Sequence, residues 1–108
     1  MANIDLKEKM VVVPPHDWVK RETIWYLYDV WHGELCLIDF DGDRMRIADN
    51  LELREATKEE VVVDFLKQNG LTHDINELPA YKKQELIDGM FPKVVDMCRQ
   101  ESSKYFLA

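Results

Sequence analysis

Apolar and polar positions change their period twice along this chain. After a polar, mixed-charge start over residues 1–9, Met10-Val11-Val12-Val13 has strand-forming chemistry. Pro14-Pro15 ends that run, since neither proline can donate to a ladder, and a short edge strand is expected. From Thr23 to Ile47 two strand-like runs meet at His32-Gly33 and a third begins after Asp41-Gly42, the pattern of a three-stranded meander with tight turns. Taking both turns as two-residue connections places Trp31 opposite Glu34 and Phe40 opposite Asp43, which fixes the register. Strict alternation then puts Trp25, Leu27, Cys36, Ile38, Phe40, Met45 and Ile47 on one face, expected to be the core. Ile24, Tyr26, Tyr28, Val30, Leu35, Leu37, Asp39, Arg44, Arg46 and Ala48 fall on the other, with Asp39 able to pair with Arg44 across the strands. Leu51-Glu52-Leu53-Arg54 alternates again, and Trp18 to Arg21 offers one more possible strand.

Beyond residue 56 the period becomes helical. Thr57-Lys58-Glu59-Glu60 is a capping box, Val61, Val62, Phe65 and Leu66 form an apolar stripe, and Asn69-Gly70 is a stop. Asp74 with Glu77 suggests a second cap for a helix over Pro79 to Asp88. Ile87, Met90, Phe91, Val94, Val95 and Cys98 keep a helical stripe across Gly89 and Pro92, read here as two abutting helices. Tyr105, Phe106 and Leu107 are apolar enough to dock rather than trail in water. The expected fold is α+β in a single domain over residues 1–108. A small bent antiparallel sheet or SH3-like partly open barrel spans about residues 10–54, and two or three helices pack against it from about residue 57.

Composition sharpens the function classes. The 108 residues carry 14 Lys+Arg against 21 Asp+Glu, a formal charge of -7. That sign opposes the counterion release that drives most nucleic-acid binding and favours a protein partner with a basic or neutral contact surface. Residues 1–56 hold seven Lys/Arg against twelve Asp/Glu, so the acidity concentrates on the sheet half. No apolar stretch approaches the roughly 20 residues that span a bilayer, and the start lacks a signal-peptide pattern. A cytoplasmic location is therefore expected. Cys36 and Cys98 read as reduced, structural thiols.

Catalytic patterns are absent. Leu37-Ile38-Asp39-Phe40-Asp41-Gly42 resembles the first motif of haloacid dehalogenase-type phosphatases over six residues, which would imply an aspartate nucleophile and Mg²⁺. Asp43 stands where that motif has Thr or Val, however, and no later segment supplies the lysine and the acidic pair in order. The residues read instead as a hairpin turn. Counting an EF-hand loop from Asp39 puts Arg44 where glycine is required and Asn50 where glutamate is required. His16, His32 and His73 have no second ligand at zinc spacing. No Ser/His/acid or Cys/His arrangement and no phosphate-cradling glycine loop is present. The sequence therefore predicts a non-enzymatic binding or regulatory protein without a metal or cofactor, of the kind found among inhibitors and small accessory proteins of phages or mobile elements. The candidate contact residues are Tyr26, Tyr28, Trp31, Asp39, Arg44 and Arg46, with Trp18 as a further anchor. The competing expectation is a nucleic-acid-binding barrel that stacks bases on the Tyr/Arg face.

Overall fold

The computed structural model describes residues 2–17, 19–70, 75 and 77–105. The strands are β1 (Lys9–Val13), β2 (Thr23–Trp31), β3 (Glu34–Ile38), β4 (Arg44–Ala48) and β5 (Arg54–Glu55). The two long helices are α1 (Lys58–Gln68) and α2 (Ala80–Ser102). All strand pairs are antiparallel, in the order β4-β3-β2-β1-β5, so the sheet is open and the fold is α+β. β1 is not an edge strand, because two residues of β5 pair with Val11 and Val12. β5 lies later than the expected Leu51–Arg54 run, whose leucines instead pack beneath the sheet. Residues 20 and 21 lie outside any strand, and His16 and Val19 form only an isolated bridge. Trp18, His73, Asp74, Phe106 and Leu107, on which expectations were placed, lie outside the described residues.

The first turn is as predicted: His32 and Gly33 both have positive φ, 52° and 75°, and Trp31 pairs with Glu34. The second is longer by one residue. Asp39 N–H donates to the Asp43 carbonyl at 2.9 Å, Gly42 N–H donates to the Asp39 carbonyl, and Gly42 takes φ 88°. This is a three-residue connection with glycine in the left-handed position. A bulge between Leu27 and Asp29 displaces the β2–β3 register as well. The two irregularities turn β3 over relative to the expected pairing, so that Tyr26 opposes Ile38 and Met45 opposes Leu37.

The outcome is a sheet with two dry faces. Leu27, Leu35, Leu37, Val11 and Val13 pack on one side with Trp25, Met45, Ile47, Leu51 and Leu53. That side is closed by the 3-10 turn Ala2–Leu6, where the buried Asn3 amide donates to the Leu51 carbonyl at 2.8 Å and to the Asp49 carboxylate. Tyr26, Tyr28, Cys36, Ile38, Met10 and Val12 pack on the other side, against Val61, Val94 and Cys98 of the helices. Two expectations are thereby corrected: Cys36, Ile38 and Phe40 leave the Trp25 face, and Leu35 and Leu37 are interior. The near-continuous apolar runs of β2 and β3 suit strands buried on both sides, whereas Arg44-Met45-Arg46-Ile47 alternates as a half-exposed strand does.

Helix α1 starts with the expected capping box. Glu60 N–H donates to the Thr57 hydroxyl at 3.1 Å, and the Glu60 carboxylate accepts from Thr57 N–H at 2.9 Å. In place of two abutting helices, α2 is one helix that runs through Gly89 and Pro92. Pro92 cannot bond to the Asp88 carbonyl, but both residues are exposed, so water can take the freed group. Burial of Ile87, Val94 and Cys98 on either side of the interruption offsets the cost.

Candidate functional site

The six residues singled out in the sequence do not form one exposed platform. Tyr26, Tyr28, Arg44 and Arg46 do share a face, but the helices and Tyr105 lie over the rings, leaving Tyr26 1% and Tyr28 4% exposed. Burial raises the pKa of both phenols. The Arg99 side chain at Tyr26 and the Arg44 side chain at Tyr28 each partly oppose that rise. Base stacking on these rings is sterically closed, which corrects the exposed Tyr/Arg platform. Arg44 lies with its guanidinium carbon 3.7 Å from the Tyr105 ring centroid, a cation–π contact. The expected Asp39–Arg44 pair is replaced by that contact and by a turn cap. Asp39 accepts from the N–H groups of Asp41 at 3.0 Å and Asp43 at 2.8 Å. Trp31 is 53% exposed at the tip of the first hairpin, edge-on to His32 at 4.0 Å. It lies six positions beyond Trp25, roughly 20 Å farther along the strand.

What the structure does assemble is a cleft of about 560 Å³ where the start of β2, the β3–β4 turn and the outward side of α1 meet. Val12, Ile24, Trp25 and Val63 supply apolar surface. Its walls carry five carboxylates, from Glu22, Asp39, Glu59, Glu60 and Asp64, against two cations, Arg21 and Lys67. The capping box sets the rotation of α1: with Val61, Val62 and Leu66 buried, positions 59, 60, 63, 64, 67 and 68 are turned to the cleft.

The acids differ in their electrostatic state. Partial burial raises the Asp64 carboxyl pKa, against the opposing hydrogen bond from Gln68 at 2.9 Å and the nearby charges of Lys67 and Arg21. Partial burial also raises that of Asp39, against its two backbone hydrogen bonds. Glu60 is held down to about 2, first by the two-pronged Arg54 contact at 2.8 and 2.7 Å and then by Thr57 N–H. Glu59 approaches Lys83 at 3.7 Å. Desolvated carboxylates beside apolar surface favour a cationic group that carries an alkyl stem.

Of the cleft residues, the sequence reading singled out Asp39 alone for contact. A usable signal was Val63, a β-branched apolar residue on the otherwise polar side of α1 between Glu59 and Lys67. Its meaning depended on β2 and the 39–43 turn lying across from it. Among the described residues no group of three His, Cys, Asp or Glu side chains is placed to hold a metal ion, and no helix is long and apolar enough to cross a membrane. Compared with known proteins, the chain matches no protein-family model, no curated protein and no solved structure.

Proposed function

We propose that this chain is a non-enzymatic binding protein of regulatory or accessory type that captures a basic segment of another protein in the cleft between β2 and α1. The observation that carries the reading is a ring of five carboxylates around an apolar floor, in which Glu60 and Glu59 already meet Arg54 and Lys83 while Asp39 and Asp64 are partly desolvated before any partner arrives. A lysine or arginine lays its alkyl stem on Ile24 and Val63 and brings its charge to Asp64 and Glu59. Charge complementarity of this kind speeds encounter and rejects acidic partners. The buried Cys36 and Cys98 are free thiols, which suits a reducing, cytoplasmic setting.

The experiment is calorimetric titration with a terminally blocked Lys/Arg-rich decapeptide at low and physiological salt. Saturable binding that weakens with salt is expected, and Glu59→Gln with Asp64→Asn should weaken it by about fivefold or more. The remote Asp5→Asn variant should leave it unchanged. Equal affinity in the double variant and the wild type sinks the cleft. Preferential binding of single-stranded DNA or RNA, abolished by Arg44→Ala with Arg46→Ala, would replace this reading with the nucleic-acid one.

A further inference from the structure

The β4 edge of the sheet is open, and the ladder pattern says which of its backbone groups face outward. Asp39 N–H donates to the Asp43 carbonyl and Asp49 N–H to the Gly33 carbonyl, each at 2.9 Å. Pairs 39/43 and 33/49 are therefore hydrogen-bonded pairs, and alternation along an antiparallel ladder extends the pattern to 37/45 and 35/47. Met45 and Ile47 thus turn their N–H and C=O toward β3. Arg44, Arg46 and Ala48 turn theirs away from the sheet, and all three residues are exposed.

The same edge borders a second, shallower hollow of about 510 Å³, lined by Tyr28, Gly42, Asp43, Arg44, Met45 and Arg46. Arg44 and Arg46 form no ion pair with a carboxylate among the described residues. The strand has no proline and no bulge in its pairing with β3 to blunt it. The other edge, β5, is only two residues long.

We infer that β4 accepts an extended segment of a partner protein as an added strand, with acidic residues at alternate positions beside Arg44 and Arg46 and apolar residues between them. Strand addition gives affinity through the main chain and selectivity through alternate side chains. On the helix side of the sheet the added strand's acids meet the two guanidinium groups at the rim of the hollow. On the opposite side its apolar residues extend the row begun by Met45 and Ile47, both partly buried with the Leu35–Leu37 cluster. A second copy of this chain is a poor occupant. Antiparallel self-pairing with the strands fully overlapped sets Arg46 against Arg46, a shift of two residues toward the β3–β4 turn sets Arg44 against Arg46, and like charges directly opposite destabilise a pair. This surface is separate from the acidic cleft and calls for the opposite charge, so either proposal can fail alone.

The test is titration of the intact protein with a terminally blocked peptide of alternating glutamate and valine, against a lysine/valine control. The glutamate peptide should bind and the lysine peptide should not. Ala48→Pro removes an outward N–H without touching the β3 ladder or any charge, and should weaken binding by about tenfold or more. Arg44→Glu with Arg46→Glu should exchange the preference between the two peptides, a result that loss of folding cannot produce. Unchanged binding in Ala48→Pro, equal binding of both peptides by the wild type, or no saturable binding would overturn the inference. So would sedimentation showing a dimer that Ala48→Pro dissolves, because the edge would then belong to a second copy.

Discussion

Glu60→Gln tests the joint that fastens α1 to the sheet and aims its outward side at the cleft. The Glu60 carboxylate takes both prongs of the Arg54 guanidinium and the Thr57 N–H, which together hold its pKa at about 2 against an ordinary 4.5. At about 1.4 kcal/mol per pH unit, that difference sets a ceiling of about 3.5 kcal/mol on the stabilisation. The side chains of Arg54 and Glu60 remain 51% and 34% exposed, and solvent screening reduces the ceiling to about 1 kcal/mol. The folded pKa lies below the unfolded one, so the contribution is complete above about pH 4.5 and disappears as pH falls through about 2. Urea denaturation of the wild type and Glu60→Gln should therefore differ by about 1 kcal/mol at neutral pH. The gap should narrow at each step below about pH 4.5. A gap that does not change with pH, or a variant as stable as the wild type at neutral pH, would refute the assignment of that energy to the ionised carboxylate.

Two further outcomes follow from particular residues. Burial pushes the Cys98 thiol up to about 12 and raises that of Cys36, so neither should react with a disulfide reagent at about pH 8 in the native protein, while both react in denaturant. Rapid labelling of the folded chain would contradict their place in the core. Gly42→Ala should lower stability by about 1–2 kcal/mol in a thermal melt because φ there is 88°. An added Cβ would also lie 3.2 Å from Glu101 Oε1, a side-chain end free to move, and Gly42→Asn should cost less because asparagine tolerates the left-handed region. Equal melting of the wild type and both variants would show that the turn does not depend on the glycine.

Interactions confined to a few neighbouring residues were legible in the sequence. The capping box at Thr57, the Asn69-Gly70 stop, the His32-Gly33 turn and the Thr23 to Ile47 meander each depend on groups within about one turn or one hairpin, so residue chemistry alone determined them. The α+β class followed from the change of period near residue 57. Register did not follow, because a bulge at Leu27/Asp29 and one extra turn residue are small local choices that exchange the two faces of a strand. Burial on both sides settled those choices: helices on one face and the Asn3-anchored segment on the other make either orientation of β3 apolar enough, and packing selects between them. Pro92 stayed inside α2 for a related reason, since the stripe from Ile87 to Cys98 gains more from an unbroken contact with the sheet and α1 than the lost hydrogen bond costs. The cleft and the open β4 edge exist only once distant segments meet: Asp39 and Asp64 come to line one cleft, and β4 is left with one neighbour. Charge and periodicity determined what each segment could offer, and long-range packing decided which offers face each other and which face water.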